Sequence, residues 1–131
     1  MILETSFLID LERERRRDAS GPATSFLGGL GSEPLAITFT IAGELAAGIA
    51  DGDRRRWEDF IRPFRVLSCT EDVCWQFGRA FRFVRANGWP IGANDLWIGA
   101  TGLAFDEPIV TANTRRFRRI PGLDVRAYRS D

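Results

Sequence analysis

Short apolar segments alternate along the chain with segments of helical character, and this alternation limits the fold more than any other feature of the sequence. Each apolar segment is too short for a helix, and most are followed by residues that favour a helix start. The predicted strands are residues 2–3, 35–39, 65–68, 108–111 and 123–127. Strands that alternate with helices pair in parallel and need helices on both faces. The sequence therefore predicts a three-layer α/β/α fold, in which a parallel sheet of about five strands lies between two layers of helices.

Between the strands, capping residues and turn formers mark the ends of the predicted helices. Thr5 or Ser6 is the expected cap of the first helix. The longest helix, 70–85, opens at Thr70 and keeps a clear 3.6-residue apolar period. Asn94 is the expected cap of a helix over 96–105, which is apolar on nearly all sides and should be buried. An arginine-rich turn joins the last two strands, and the length of 131 residues fits a single domain over 1–131.

The composition excludes several kinds of catalytic site. The sequence contains no His and no Lys, so all 18 basic side chains are Arg. Without His, a Ser–His–Asp or Cys–His nucleophile and a His-ligated zinc site are excluded. Without Lys, a Schiff base and a phosphate-binding P-loop lysine are excluded. Any acid–base or metal chemistry must come from carboxylates, amides and hydroxyls. The net charge is zero, so the chain as a whole is not drawn to nucleic acid or to an anionic membrane.

The cysteines and the amino terminus indicate a cellular location. Cys69 and Cys74 fit neither a C-x-x-C site nor a disulfide framework, so we expect reduced thiols that pack rather than react. The first residues lack the basic region of a signal peptide. The longest weakly polar stretch, 35–50, is interrupted by Glu44 and is too short to span a membrane. We therefore expect a soluble, cytoplasmic protein.

Polar residues follow two predicted strands and open two predicted helices. Glu4 comes immediately after the first strand, and Thr111 with Asn113 comes immediately after the fourth. Glu44 and Asp95 lie near the starts of helices. Each residue alone has an ordinary structural explanation as a strand end, helix start or turn residue. Together they should converge, because functional groups of an open parallel sheet gather outside the carboxyl ends of the strands. The sequence therefore predicts one acidic pocket at this edge.

Four motifs, in order along the whole chain, resemble those of PIN-domain ribonucleases, and specifically of the VapC-like toxins of prokaryotic toxin–antitoxin modules. No single motif is decisive, but the order and spacing of the four make the resemblance fairly specific. The motifs are Leu3-Glu4-Thr5-Ser6-Phe7-Leu8-Ile9-Asp10, Thr40…Glu44-Leu45…Gly48, Asn94-Asp95-Leu96-Trp97-Ile98-Gly99-Ala100, and Val110-Thr111-Ala112-Asn113…Phe117…Ile120-Pro121-Gly122-Leu123.

The resemblance implies a metal-dependent endoribonuclease that acts as a toxin. Glu4, Glu44 and Asp95 match the three acidic positions of the PIN active site, and Asn113 matches a fourth position. In such enzymes carboxylates hold Mg²⁺ or Mn²⁺, which activates water against an RNA phosphodiester. By this resemblance Glu4 and Asp95 would ligate the metal directly, Glu44 would complete the cluster, and Asn113 with Thr111 would orient the water or the ligands. The resemblance also implies a homodimer and a cognate antitoxin whose tail enters the active-site groove.

The chain departs from the family pattern at its first acidic position, which is ordinarily Asp and here is Glu4. The extra methylene moves the carboxylate outward by on the order of 1.5 Å, and Mg²⁺ tolerates little deviation from octahedral geometry. This departure predicts weaker metal binding or lower activity. It also leaves open an alternative, a PIN-like module that binds RNA or a protein partner without efficient cleavage. A two-carboxylate glycosidase is a further alternative, disfavoured by the small size of the chain.

The arginines and tryptophans each have two interpretations. Arg115 and Arg116 follow Asn113 closely and could contact RNA phosphates. The arginine runs at 13–17 and 54–56 are interleaved with acidic residues, so we expect a solvated, salt-bridged surface there. The tryptophans are expected in the core or in oligomer contacts rather than as base-stacking platforms.

Overall fold

A computed structural model describes residues 1–130 of the chain and has five parallel strands among seven helices over that range. The strands are β1 (Ile2–Leu3), β2 (Ala36–Thr38), β3 (Arg65–Leu67), β4 (Ile109–Val110) and β5 (Val125–Arg126). The helices are α1 (Thr5–Arg16), α2 (Pro22–Gly28), α3 (Phe39–Ala47), α4 (Arg54–Ile61), α5 (Glu71–Ala86), α6 (Ala93–Phe105) and α7 (Thr114–Phe117). The predicted α/β class, strand number and parallel pairing are confirmed.

The strand order is β3-β2-β1-β4-β5, so β1 lies at the centre of the sheet. Strands β2 and β3 lie in turn on one side of β1, and strands β4 and β5 lie in turn on its other side. The order therefore reverses between β1 and β4, where ligands of open parallel sheets bind at the carboxyl ends of the strands. In the register between them, Leu3 pairs with Val110. The next residues along the two strands, Glu4 and Thr111, consequently emerge side by side.

The core lies on both faces of the two central strands. Ile2, Leu3, Ile109 and Val110 are fully buried, as expected of strands covered on both sides. Helix α1 contributes Phe7, Leu8 and Leu11, which recur at helical spacing and bury one face of that helix. Helix α6 is buried over most of its length, which confirms the prediction from its apolar sequence.

Several predicted helix ends are wrong in detail. Glu4, rather than Thr5 or Ser6, caps α1, because its carboxylate accepts the Ser6 amide N–H. Helix α6 starts at Ala93 after Gly92, and Asn94 lies inside its first turn instead of capping it. The predicted arginine-rich turn between the last strands contains the short helix α7. Thr70 does cap α5, and its Oγ1 accepts the Val73 N–H at 3.2 Å.

Charged residues of α1 and α4 form surface ion pairs, and a further charged residue of α1 holds the start of α2. Exposed pairs such as Arg16 with Glu12 and Arg54 with Glu58 confirm the predicted solvated, salt-bridged surface. Glu14 differs, because its carboxylate accepts the amide N–H groups of Gly21, Ala23 and Thr24 at the start of α2. Desolvation opposes the ionisation of Glu14, but these hydrogen bonds outweigh it and lower its pKa. Glu14 thus anchors the amino terminus of α2.

The tryptophans and cysteines only partly follow expectation. Trp97 stacks on Phe77 with ring centroids 3.9 Å apart, and the indole N–H of Trp57 donates to the Ala42 carbonyl. Trp75 is 64% exposed on α5 and is not a core residue. Both cysteines are exposed, so the prediction that they pack in the interior is wrong. Within residues 1–130, no helix is long and apolar enough to cross a membrane.

Candidate active site

Glu4 lies at the carboxyl end of β1, and only 5% of its surface is exposed. Both of its carboxylate oxygens accept hydrogen bonds. The Thr111 hydroxyl donates to Glu4 Oε1 at 2.5 Å, and the Ser6 hydroxyl donates to the same oxygen at 2.8 Å. The Ser6 amide donates to Oε2 at 3.1 Å. These contacts compensate for the burial of a carboxylate, and they fix its orientation at the junction of β1 and β4.

Thr111 and Asn113 form the opposite wall at the end of β4. Thr111 Oγ1 accepts the Asn113 amide N–H at 2.9 Å while it donates to Glu4. The Ala112 amide N–H donates to the Ser6 hydroxyl at 3.0 Å. The two hydroxyls therefore tie the β4 end to the start of α1. Ser6 was not among the predicted site residues, although it lies two residues after Glu4 in the first of the four motifs.

Glu44 reaches the same edge from α3. It is the sixth residue of that helix, one turn later than a helix-start position, and the Thr5 hydroxyl donates to its Oε1 at 2.9 Å. Burial raises the pKa of Glu44, and the negative charges of Glu4 and Asp95 raise it further, against the opposing effect of the Thr5 hydrogen bond. Glu44 therefore lies within the electrostatic field of both other carboxylates. Thr5 is a second site residue that the sequence suggested only as a helix cap.

Asp95 lies in the first turn of α6, as predicted, and is 17% exposed. Its Oδ2 accepts a hydrogen bond from Arg116 Nη1 at 2.7 Å. The hydrogen bond and charge of Asp95 raise the pKa of Arg116, and the charge of Glu4 adds to this effect. The Arg116 side chain is 48% exposed, so this ion pair lies at the boundary between the acidic site and solvent.

Arg116 also borders a cleft of about 270 Å³ at the end of β4. Asn113, Arg115 and Arg119 line the same cleft. Arg119 Nη1 donates to the Pro90 carbonyl at 3.0 Å, which holds that side chain on the rim. The predicted phosphate-binding arginines thus face one concave surface beside the carboxylates, although Arg116 is already paired with Asp95.

The structure brings the predicted carboxylates to one edge of the sheet but leaves each with a different partner. Glu4 binds hydroxyls, Glu44 binds Thr5 and Asp95 binds Arg116. Within residues 1–130, no group of three acidic or cysteine side chains is close enough to hold a metal ion in this arrangement. The site therefore consists of three carboxylates that repel one another, with Arg116 as the counter-ion of one of them.

Comparison with known proteins gives this site a family context. Ribonuclease VapC1 of Haemophilus influenzae is 28% identical over 129 residues, which cover 93% of this chain and 92% of that protein. Ribonuclease VapC1 of Methanocaldococcus jannaschii is 26% identical over 129 residues, covering 98% of this chain and 86% of that protein. The solved structure of VapBC-1 from nontypeable Haemophilus influenzae is 27% identical and superposes with a TM-score of 0.79, covering 97% of this chain and 96% of that one.

The family assignment also follows from the sequence directly. Residues 1–123 match the PIN domain, a span that contains all five strands except the last and every predicted site residue. The sheet order is consistent with that match, as is the placement of Glu4 at the end of β1 and of Thr111 and Asn113 at the end of β4. The chain belongs to the PIN-domain family.

Proposed function

We propose that this chain is a divalent-metal-dependent endoribonuclease and the toxin of a toxin–antitoxin pair, built as one PIN domain over residues 1–131. The observation that carries the proposal is the convergence of Glu4, Glu44 and Asp95 at the carboxyl edge of the sheet, where the other two charges raise the pKa of Glu44. The names of the similar ribonucleases VapC1 support the same activity. No specific observation favours the alternative of a module that binds without cleaving.

The side chains at this edge fit a hard divalent cation in donor chemistry. Glu4, Glu44 and Asp95 supply carboxylate oxygens, which Mg²⁺ and Mn²⁺ prefer. Repulsion among the three carboxylates is a cost that a cation relieves. Thr40 lies one helical turn before Glu44 on α3, and its Oγ1 is buried without a hydrogen-bond partner within residues 1–130. We assign the metal to Glu4, Asp95 and Glu44. A bound Mg²⁺ or Mn²⁺ lowers the pKa of its water and neutralises charge on the phosphoryl oxygens.

Arg116 has two partners in this proposal. In the absence of a cation, its guanidinium neutralises Asp95. This hydrogen bond occupies Asp95 Oδ2 and neutralises much of the charge of the carboxylate, so Arg116 competes with a cation for Asp95 and leaves it when the cation binds. Its half-exposed side chain then turns to the cleft, where a guanidinium binds a phosphate well. Arg115 lines the same cleft and supplies a second phosphate contact.

Glu4, Ser6 and Thr111 form the rigid part of the site. The two hydroxyls hold the Glu4 carboxylate in one orientation, and they are held in turn by the backbone of residues 112 and 113. The Glu4 carboxylate therefore faces a bound ligand in one fixed orientation. The Asn113 side chain, on the rim of the cleft, orients the attacking water or the phosphate.

A second cleft supports the proposed antitoxin partner. It measures about 260 Å³, opens between α1, α3 and α4, and reaches Glu44. Ile9, Leu45, Ile49 and Phe60 make much of its lining apolar. An antitoxin segment with apolar side chains can pack there while its tail reaches the acidic site. The structurally similar VapBC-1 is, by its name, a complex of two proteins. A homodimer remains part of the proposal as an expectation from the family.

A cleavage assay on fluorescently labelled single-stranded RNA tests the activity. Purified protein is expected to cleave with Mg²⁺ or Mn²⁺ and to stop when EDTA removes the cation. Asp95→Asn should abolish cleavage with little change in the melting temperature, because relief of the repulsion among the three carboxylates offsets the loss of the ion pair with Arg116. Asp124→Asn is the matched control, because the Asp124 side chain is 57% exposed and its only ion pair within residues 1–130 is with Arg126. Full activity in EDTA, or in Asp95→Asn, would contradict the proposed function.

A further inference from the structure

Cys69 and Cys74 lie together at the start of α5, outside the site described above. Cys69 follows β3, and Cys74 is the fourth residue of α5. Both side chains are exposed, and their Sγ atoms are 3.7 Å apart. The proposed nuclease reaction uses neither sulfur. Two solvent-exposed thiols in contact form a local site for thiol chemistry rather than a packing feature.

The backbone between the two cysteines is already closed into a tight turn. The Thr70 carbonyl accepts the Cys74 N–H at 3.1 Å, and Thr70 Oγ1 accepts the Val73 N–H at 3.2 Å. The Thr70 N–H donates to the Ser68 carbonyl at 3.1 Å. These three hydrogen bonds hold the ends of the segment together before any covalent bond forms. A disulfide requires the sulfurs to approach from 3.7 Å to about 2.05 Å, and their contact is the starting point for that approach.

We propose that Cys69 and Cys74 are a redox-active dithiol that a small-molecule disulfide oxidises to an intramolecular disulfide. The thiolate of one cysteine attacks the small disulfide, forms a mixed disulfide and releases one small thiol. The second cysteine, as thiolate, attacks the protein sulfur of that mixed disulfide and releases the second small thiol. The protein loses two protons and two electrons, and the small disulfide gains them. The product covalently closes the first turn of α5.

Two observations favour this chemistry over a bound soft metal ion. Within residues 1–130, no third acidic or cysteine ligand joins the two sulfurs in a group that could hold a metal. The sulfurs also share a hydrogen bond, in which either can be the donor. Desolvation and the neighbouring Cys74 sulfur raise the pKa of the Cys69 thiol. The attacking species is the thiolate, so the oxidation is expected to speed up as pH rises above neutrality.

Oxidation by glutathione disulfide followed by intact-mass measurement tests the proposal, independently of any nuclease activity. The reduced protein is incubated with glutathione disulfide, and free thiols are then capped with N-ethylmaleimide. The expected product has lost two hydrogen atoms, carries no glutathione and takes up no maleimide. Cys69→Ser and Cys74→Ser are the matched controls. Each lacks the second thiol, so each should accumulate a mixed disulfide with one glutathione.

Two outcomes would overturn the proposal. One is a wild-type protein that retains glutathione on one or both cysteines, because the second thiol then fails to resolve the mixed disulfide. The other is a chain-to-chain disulfide dimer on a non-reducing gel, because the cysteines then pair between molecules. Since both side chains are exposed, the serine variants are expected to fold, and their circular dichroism spectra check this.

Discussion

Replacing Arg116 with Ala separates the two partners that the proposed function gives to this arginine. In the folded protein its guanidinium donates to Asp95 Oδ2 at 2.7 Å, in competition with any cation at that carboxylate. The substitution removes the competitor and leaves three carboxylates without their counter-ion. Metal affinity should therefore rise. RNA binding should fall, because the cleft loses a phosphate contact. Opposite changes in two affinities are difficult to produce by general damage to the fold.

The expected size follows from the exposure of the ion pair. Arg116 is 48% exposed and Asp95 is 17% exposed, so solvent screens much of their attraction. A pair of this kind contributes about 0.5–1 kcal/mol. In the variant there is no ion pair to break when the metal binds, so this free-energy cost is absent. Since 1.4 kcal/mol corresponds to a tenfold change in a dissociation constant, Mn²⁺ should bind roughly 2–5-fold more tightly. The free energy of unfolding of the metal-free protein should fall by about the same 0.5–1 kcal/mol.

Calorimetric titration with Mn²⁺ measures the metal affinity, and fluorescence anisotropy of a labelled RNA measures the second affinity. Arg115→Ala is the matched control, because Arg115 lines the same cleft and its variant leaves the Asp95 ion pair intact. That control should bind RNA more weakly and bind Mn²⁺ as the wild type does. A dissociation constant for Mn²⁺ that is unchanged or weaker in Arg116→Ala would refute the reasoning.

Three further substitutions test the environments of the other site residues. In Glu4→Asp the shorter carboxylate should keep the α1 cap but withdraw from Thr111, which should lower the free energy of unfolding in urea by about 0.5–1.5 kcal/mol. Mn²⁺ affinity and RNA cleavage should rise. Unchanged affinity and cleavage would exclude Glu4 as a metal ligand. Glu44→Gln should raise the melting temperature near neutral pH but not below pH 4.5. The pKa of Glu44 is raised in the folded protein, so its ionised carboxylate becomes destabilising as the pH increases above 4.5. An equal gain in melting temperature at both pH values would mean that charge is not the cause. Thr111→Val should lower the free energy of unfolding by about 1.5–3 kcal/mol, because it removes the donor at 2.5 Å from a buried carboxylate; a change below about 0.5 kcal/mol would show that this hydrogen bond is not required.

The position of the site could be predicted from sequence because it depends on a general rule of parallel sheets. Glu4 and Thr111 follow apolar segments, and the ends of neighbouring parallel strands meet at one edge. The register of Leu3 with Val110 then places the two side chains next to each other. The resemblance to PIN-domain ribonucleases is confirmed by the family match over residues 1–123. The roles of the individual carboxylates as metal ligands stay predictions.

The partners of these side chains could not be predicted, because they depend on contacts between residues far apart in the sequence. The hydrogen bond from Thr111 to Glu4 joins residues 107 positions apart, and the Arg116 pair with Asp95 spans 21. Local patterns also gave wrong results where two residues could serve one purpose. Glu4 caps α1 in place of Thr5 or Ser6, because the helix begins at Thr5 and the carboxylate of the preceding residue accepts the Ser6 amide N–H.

The exchange that we propose for Arg116, between Asp95 and an RNA phosphate, also predicts that metal and RNA binding are coupled. A cation at Asp95 releases the guanidinium for a phosphate, and a phosphate that holds the guanidinium leaves Asp95 free for the cation. Each ligand therefore removes the same ion-pair cost for the other, so the coupling is positive and must be equal in both directions. Its upper limit is the free energy of the pair, about 0.5–1 kcal/mol, or roughly 2–5-fold in each dissociation constant. Non-cleavable RNA should therefore tighten Mn²⁺ binding more in the wild type than in Arg116→Ala, by up to this factor. In Arg116→Ala that part of the coupling is lost, leaving only the attraction between the cation and the phosphate. An equal effect of RNA on Mn²⁺ affinity in both proteins would show that Arg116 does not exchange between Asp95 and RNA.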